Sequence, residues 1–166
     1  MNHNIMIVDD DASVLRALER QLKGTGHNII ACGSADEALV KLGCFEVSLL
    51  ISDNLMPGMT GLELLKVVRH RFPQVVRILL TAHADLETAL GAINQGEIFR
   101  FLLKPWDLAA LLSTVIEGLK KHEKETEGER LANQEDRRRK AMADLEMKFP
   151  GITDVDQDDK GMVILS

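Results

Sequence analysis

The chain has 166 residues, 45% of them hydrophobic and 28% charged, a composition that is typical of a globular protein and excludes wholesale disorder. Lys and Arg number 20 against 26 Asp and Glu, and the net charge of −6 argues against a protein that binds nucleic acid through a general basic field. No apolar run approaches the roughly 20 residues of a membrane-spanning helix. The two cysteines, Cys32 and Cys44, are too few for a disulfide framework, so we expect a cytoplasmic protein.

Five short apolar runs predict strands, and a segment with apolar residues at helical spacing follows each of them. The predicted strands cover residues 4–8, 28–32, 47–52, 75–80 and 98–103. The predicted helices cover residues 14–22, 35–42, 62–72, 86–95 and 108–119. Ser34 is a candidate N-cap of the second helix, while Gly24, Pro73 and Gly96 end the first, third and fourth.

The alternation of strands and helices predicts an α/β fold. Mostly apolar strands indicate a parallel sheet covered on both faces, and right-handed crossovers make that sheet doubly wound. In such sheets ligands bind beyond the carboxyl ends of the strands. The polar residues at those ends are Asp9, Asp10, Asp53, Thr81 and Lys104.

Three of these residues, Asp9, Asp10 and Asp53, are carboxylates. Converging carboxylates raise one another's pKa values unless a cation lies among them. Hard oxygen ligands suit Mg²⁺, which keeps several waters and leaves room for a phosphoryl group. We therefore expect a Mg²⁺ site here. The alternative is that acids after a strand only cap the next helix, a role that Asp11 or Ser13 can fill; Thr81 and Lys104 at other strand ends favour the metal site instead.

The same strand ends offer a nucleophile. A carboxylate can attack a phosphoryl group and become an acyl phosphate. Asp53 fits this role, Lys104 fits that of a fixed cation that neutralises developing charge, and Thr81 fits that of a hydroxyl donor to the phosphoryl oxygen. The bond between Lys104 and Pro105 is a candidate for the cis form.

Four motifs give the chain a family resemblance. They are IMIVDDD (5–11), LLISDNLMPGMTG (49–61), ILLTAHAD (78–85) and FLLKPW (101–106). In this order and spacing they resemble the receiver domain of bacterial two-component response regulators, over residues 1 to about 120. The resemblance implies a flavodoxin-like, five-stranded parallel sheet with strand order 2-1-3-4-5. It also implies a phosphorelay signalling protein rather than a turnover enzyme.

The resemblance further implies that Asp53 is phosphorylated by a histidine kinase or a phosphotransfer protein. It implies Mg²⁺ bound by Asp10, Asp53 and the backbone carbonyl of Leu55, with Asp9 acting through water. Phosphorylation then acts on a downstream protein target through a pair of switch residues, Thr81 and Phe101. Phe101 stands where the family often has Tyr, which removes a hydroxyl but keeps a ring that can rotate.

The stretch at 93–107 is similar to receivers joined to cyclic-di-nucleotide phosphodiesterase domains or to hybrid kinases. We expect that output to be missing, because the chain has no His-Asp pair and no Gly-Tyr-Pro triplet. No helix-turn-helix follows the receiver either. A DNA-binding arm is not expected, since the eight basic residues in 120–140 stand beside six acidic ones.

The chain changes character after residue 120, the predicted end of the receiver domain. We predict a charged helix or linker over 121–140, and a short helix end with a β-hairpin tail over 141–166. An isolated hairpin is marginal in water, so the tail must dock on something. We expect it to form a homodimer or to dock on a partner protein.

Two other readings stay open. Asp9-Asp10-Asp11 satisfies the Asp-x-Asp pattern of haloacid dehalogenase phosphatases, with Asp9 as nucleophile, but Ser13 is an imperfect match to the next position and that family does not need Asp53. The other reading is a receiver-like module that binds partners without phosphorylation. The complete acidic set and Lys104 argue against it.

Overall fold

The computed structural model describes residues 2–151, 156–157 and 163–164. Its first five strands are β1 (Asn4–Val8), β2 (Asn28–Cys32), β3 (Leu49–Asp53), β4 (Val76–Thr81) and β5 (Arg100–Leu103). Its helices are α1 (Ala12–Lys23), α2 (Ala35–Leu42), α3 (Gly61–Arg71), α4 (Leu86–Asn94) and α5 (Leu108–Lys148). A short 3₁₀ helix, His83–Asp85, precedes α4.

The strands form one parallel sheet in the order β2-β1-β3-β4-β5, which confirms the predicted topology. Because all five strands run the same way, their carboxyl ends lie along one edge. The register brings the last residue of β3, Asp53, opposite Leu80, and the last residue of β4, Thr81, opposite Leu103. The fold thus brings together, along one edge, the strand ends at which the sequence places polar residues.

Each face of the sheet buries its own hydrophobic core. On one face, Leu50 and Leu79 pack with side chains from α2, α3 and α4, including Leu64. On the other face, Ile51 and Ile78 pack with side chains from α1 and α5. Burial on both faces explains why the strands read as continuous apolar runs rather than as an alternating pattern.

Side-chain caps stabilise the beginnings of α1, α2 and α3. Asp11 accepts from the N–H of Ser13 at the start of α1, and Ser34 accepts from Glu37 at the start of α2, as the sequence predicted for Ser34. Thr60 caps α3 in the same way. Asp11 is therefore the side-chain cap of α1, and neither Asp9 nor Asp10 has that role.

Two strands begin two residues later than their apolar runs. β3 begins at Leu49 rather than at residue 47, and β5 begins at Arg100 rather than at residue 98. Val47 and Ile98 are buried in the core, although neither belongs to the paired part of a strand. Their apolar character reflects burial and not pairing, and the sequence pattern does not separate the two.

Beyond the receiver-like part, α5 continues without a break to Lys148, so the charged segment is helical rather than a linker. Farther on, β6 (Asp156–Gln157) pairs antiparallel with β7 (Val163–Ile164), in agreement with a hairpin, while the rest of the predicted 152–166 tail lies outside the described residues. The chain divides into two compact units, Met1–Glu125 and Thr126–Ser166. Among the described helices, none is both long and apolar enough to span a membrane.

Candidate phosphoacceptor and metal site

The carboxyl edge of the sheet brings three predicted carboxylates together. Asp9 and Asp10 lie directly after β1, and Asp53 ends the neighbouring strand β3. One carboxylate oxygen from each residue lies within 4.8 Å of the others. In the described part of the chain, this is the group of His, Cys, Asp and Glu side chains that could hold a metal ion.

The three carboxylates differ in their exposure. Asp9 is 1% exposed and Asp53 7%, whereas Asp10 is open to solvent. Burial raises the pKa of Asp9, and the nearby charge of Asp53 raises it further. The Asp11 N–H works in the opposite direction, because it donates to Oδ1 of Asp9 at 2.9 Å and stabilises the charged form.

Lys104 brings a cation to these acids from the end of β5. Its Nζ lies 2.9 Å from Oδ1 of Asp53 and 3.3 Å from Oδ2 of Asp9. Partial burial works against the ammonium, but the two carboxylates outweigh it and raise the pKa of Lys104. The Lys104 N–H donates to the carbonyl of Thr81 at 2.8 Å, and the following bond to Pro105, a candidate for the cis form in the sequence, is cis.

The two proposed switch residues lie on neighbouring strands. Thr81 ends β4 and is 1% exposed, and its hydroxyl is 3.5 Å from the carbonyl of Ala82. Phe101 pairs with Leu79, which is two residues before Thr81 and so on the same side of the sheet. Phe101 is half-buried against the core that includes Ala89 of α4.

The loop after Asp53 has a close contact that sequence reasoning missed. The Gly61 N–H donates to the carbonyl of Asn54 at 2.9 Å, and Oδ1 of Asn54 accepts from Leu62 at 3.2 Å. A Cβ atom at Gly61 would overlap the carbonyl oxygen of Asp53. Glycine therefore lets α3 begin directly against the acceptor strand. Leu55, the predicted carbonyl ligand, lies in this loop with a side chain that is 66% exposed.

A second contact missing from the sequence analysis joins Trp106 to α1. The indole Nε1 donates to Oε1 of Gln21 at 2.7 Å. Trp106 belongs to the FLLKPW motif, but nothing in the spacing of the chain points to Gln21 as its partner.

Away from this edge, three histidines meet near the amino end of β1. The ring of His3 lies 5.4 Å from that of His27 and 5.7 Å from that of His122, measured between centroids. His3 is buried, with Nδ1 2.9 Å from the Ser48 hydroxyl and Nε2 2.7 Å from the carboxylate of Glu123. These contacts bind α5 to the start of the sheet and are not part of the acidic site.

Comparison with known proteins identifies the family. The family model described as the response regulator receiver domain matches residues 5–116. The chain belongs to this family. Receiver domains are phosphoacceptor switches rather than turnover enzymes, and they bind Mg²⁺ at an acidic pocket. This chain has an acidic cluster, formed by Asp9, Asp10 and Asp53, beside Lys104.

Curated relatives resemble the receiver part of the chain. It is 38% identical over 111 residues to the hydrogenase transcriptional regulatory protein HoxA of Cupriavidus necator, and 40% identical over 111 residues to the DNA-binding transcriptional regulator NtrC of Salmonella typhimurium. Each match covers 67% of this chain but only 23% and 24% of the respective relative. The chain thus corresponds to about a quarter of the length of these regulators.

A solved structure shows the same architecture. The signal receiver domain of an HD domain-containing protein from Pseudomonas fluorescens Pf-5 is 36% identical, with a TM-score of 0.72. The match covers 76% of this chain and 93% of that one.

Proposed function

We propose that Asp53 of this receiver accepts a phosphoryl group, in the presence of Mg²⁺, from a histidine kinase or a phosphotransfer protein. The observation that carries the proposal is the placement of the buried Asp53 carboxylate between two further acids and the Lys104 ammonium. Of the three acids, Asp53 is the one that ends a strand next to β4 and so neighbours both Lys104 and Thr81.

The donor set fits Mg²⁺. Its protein ligands would be carboxylate oxygens of Asp10 and Asp53 and the carbonyl of Leu55, with Asp9 contributing through water. Hard oxygen donors with an exposed member suit an ion that retains water molecules. When bound, Mg²⁺ supplies positive charge that offsets the negative charge on the carboxylates and on the phosphoryl oxygens.

The chain's own residues supply the remaining chemistry. A carboxylate oxygen of Asp53 attacks phosphorus, the new oxygen–phosphorus bond forms, and the bond from phosphorus to the donor's histidine nitrogen breaks. Lys104 holds its ammonium against Asp53 and neutralises charge on the transferring group. Thr81, at the end of the adjacent strand, provides a hydroxyl that donates to a phosphoryl oxygen once the group has arrived.

The phosphoryl group then acts as a switch. It shifts an equilibrium only if its contacts differ between the two states. We propose that the Thr81 hydroxyl turns towards the phosphoryl group and that the ring of Phe101 moves into the space beside it. Phe101 packs against the core next to α4, so this movement changes the surface formed by α4, β5 and α5. That surface would engage the downstream target.

The assignment is tested by mass spectrometry after incubation with acetyl phosphate and Mg²⁺. Asp53→Asn should abolish the labelling, whereas Asp36→Asn, a change to an exposed carboxylate in the first turn of α2, should leave it intact. Asp9→Asn separates this function from that of a haloacid dehalogenase phosphatase, in which Asp9 is the nucleophile. Labelling at Asp53 should persist in this variant if Asp53 is the acceptor, and all labelling should be lost if Asp9 is the nucleophile. Full labelling of Asp53→Asn would overturn the proposal, and the absence of labelling in wild type would favour a binding module.

We also propose that the segment after the receiver is a homodimerisation or partner-docking module. Apolar side chains stand exposed along the end of α5 and just beyond it: Leu131, Met142, Leu145, Met147 and Phe149. Helices in water are stabilised mainly by packing of an apolar face, which favours a partner for this segment.

Deletion of 126–166 tests the docking module while keeping the contact between Glu123 and His3. The shortened chain should still be labelled at Asp53, but it should lose its dimeric mass in light scattering or its ability to capture a partner. Identical monomer masses for both chains, phosphorylated or not, would exclude the homodimer.

A further inference from the structure

Trp106 is fixed to α1 through its side chain. The indole Nε1 donates to Oε1 of Gln21 at 2.7 Å, and the two residues are 85 positions apart. An indole N–H can only donate, and it needs an acceptor when the ring is partly buried, as here. The Gln21 amide oxygen therefore selects one orientation of the indole ring.

The same side chain also packs against a hydrophobic core. Trp106 lies against the core that contains Leu18 and Leu22 of α1 and Leu111 of α5. A ring that packs against this core and is hydrogen-bonded at its edge has little freedom to rotate. The position of Trp106 is accordingly restrained by α1 and by this core.

Two interactions with other elements restrain the backbone around Lys104. On one side, its own N–H bonds to Thr81 of β4. On the other side, two residues along the chain, Trp106 is held by α1. The same helix begins with Asp11 as its cap, directly after Asp9 and Asp10. One helix thus connects the loop that carries the acids with the loop that carries the lysine.

We propose that Trp106, held by Gln21, is a positioning residue that keeps the Lys104 ammonium beside Asp53. The inference rests on the proposed function, in which Lys104 neutralises charge on the transferring phosphoryl group. Neither Trp106 nor Gln21 contacts the reacting atoms. Without their hydrogen bond, the loop after β5 gains freedom and Nζ spends less time near Oδ1 of Asp53. The transfer step slows, while the carboxylates that hold Mg²⁺ remain in place.

The first experiment replaces the acceptor. Gln21→Leu should lower the maximal rate of labelling by acetyl phosphate about fivefold, the usual effect of one lost hydrogen bond, with the half-saturating Mg²⁺ concentration unchanged. Gln21→Glu keeps an acceptor oxygen and should restore the wild-type rate. Glu19→Leu, on an exposed position of the same helix, is the matched control and should not alter the rate. A wild-type rate in Gln21→Leu overturns the inference, as does an equal loss in Gln21→Glu.

A double-mutant cycle then tests the pair. Trp106→Phe keeps an aromatic ring but removes the N–H, so it should slow labelling to a similar extent. The double variant Gln21→Leu/Trp106→Phe should be no slower than the slower single variant, because both changes remove the same bond. Two losses that multiply would show independent roles and overturn the proposal.

A readout without phosphorylation separates this inference from the proposed function. If wild type is not labelled at Asp53, the proposed function fails, and the position of Lys104 is followed instead by the NMR resonances of its side chain in the full chain. These should shift in Gln21→Leu and stay at wild-type positions in Glu19→Leu. Unchanged Lys104 resonances in Gln21→Leu would overturn the positioning role even if wild type is labelled normally.

Discussion

The Lys104 ammonium bridges two buried carboxylates, since its Nζ lies 2.9 Å from Oδ1 of Asp53 and 3.3 Å from Oδ2 of Asp9. Two carboxylates so close to one another repel when both are charged, and burial strengthens the repulsion. A shared cation offsets part of this cost before any metal binds. In the proposed phosphoryl transfer, the same cation lies where charge develops.

Removal of this cation gives the first prediction. Lys104→Met should lower the maximal rate of Mg²⁺-dependent labelling by about a hundredfold, the scale observed when one charge-stabilising donor is lost. It should also raise the pKa of Asp9 further, because Lys104 is among the groups that lower it. Labelling kinetics and an NMR titration of the Asp9 carboxyl group measure the two effects. Lys23→Met, at the exposed end of α1, should behave like wild type.

The second prediction concerns the exposed member of the acidic cluster. Asp10→Ala should weaken Mg²⁺ binding about tenfold or more, because it removes a carboxylate ligand. Without Mg²⁺ the variant should unfold at the same or a higher temperature, since one repelling charge is gone. Calorimetric titration and thermal unfolding measure these outcomes, with Asp36→Ala as control. Unaltered Mg²⁺ affinity would remove Asp10 from the ligand set.

Gly61 gives a prediction about stability. Gly61→Ala should lower the free energy of unfolding by about 3 kcal/mol, because its Cβ meets the backbone of Asp53 and Asn54, which cannot move aside as a flexible side chain does. Gly91→Ala is a matched control within α4, where nothing lies within 4 Å of the added Cβ. That change should stabilise the protein by about 0.5–1 kcal/mol. Equal effects in urea unfolding would contradict the structural reading of Gly61.

The histidine cluster predicts a pH dependence of stability. Burial, followed by the neighbouring His3 ring, lowers the pKa of His27 from its ordinary value of 6.5. The unfolded chain then binds this proton more readily, so stability is level above pH 6.5 and falls as the pH drops below it towards the folded-state pKa. Protonation of His27 at Nδ1 also breaks the hydrogen bond that this atom accepts from the backbone N–H of His3 at 3.1 Å.

His27→Asn tests this reading because it replaces the ring with an amide whose oxygen can accept from His3. The variant should lose less stability on acidification just below pH 6.5, by less than about 1 kcal/mol because the ring is partly exposed. Urea unfolding at several pH values measures the change, with His70→Asn, at an exposed position of α3, as control. The lowered pKa of Glu123 affects stability only at more acidic pH, below its ordinary value of 4.5.

The last prediction concerns activation. Phosphorylation of Asp53, or binding of a beryllium fluoride mimic, should change hydrogen exchange within residues 86–119. The physical reason is the packing of Phe101 against the core beside α4. In the proposed switch, this packing transmits a change at Thr81 to that surface. Asp53→Asn treated in the same way should show no change. Flat exchange across 86–119 in activated wild type would count against the proposed switch.

Much of this architecture could be predicted from local patterns. Each strand is an apolar run that the two-faced burial of a parallel sheet requires, and each helix carries an apolar stripe that faces one core. The acids after β1 and at the end of β3, with Lys104 after β5, indicated the site because parallel strands end at one edge. The starts of β3 and β5 were predicted two residues too early, because Val47 and Ile98 are buried without pairing in a strand.

The amino-acid sequence by itself determined which elements form, in what order, and which chemical groups stand at the strand ends. Only the tertiary structure decided which distant side chains meet: Gln21 with Trp106 and His3 with Glu123. It also decided that α3 approaches the backbone of Asp53 so closely that only glycine fits at position 61. The physical reason is that periodicity reports which face of an element is buried, whereas these contacts depend on the three-dimensional distance between elements that are far apart in the chain.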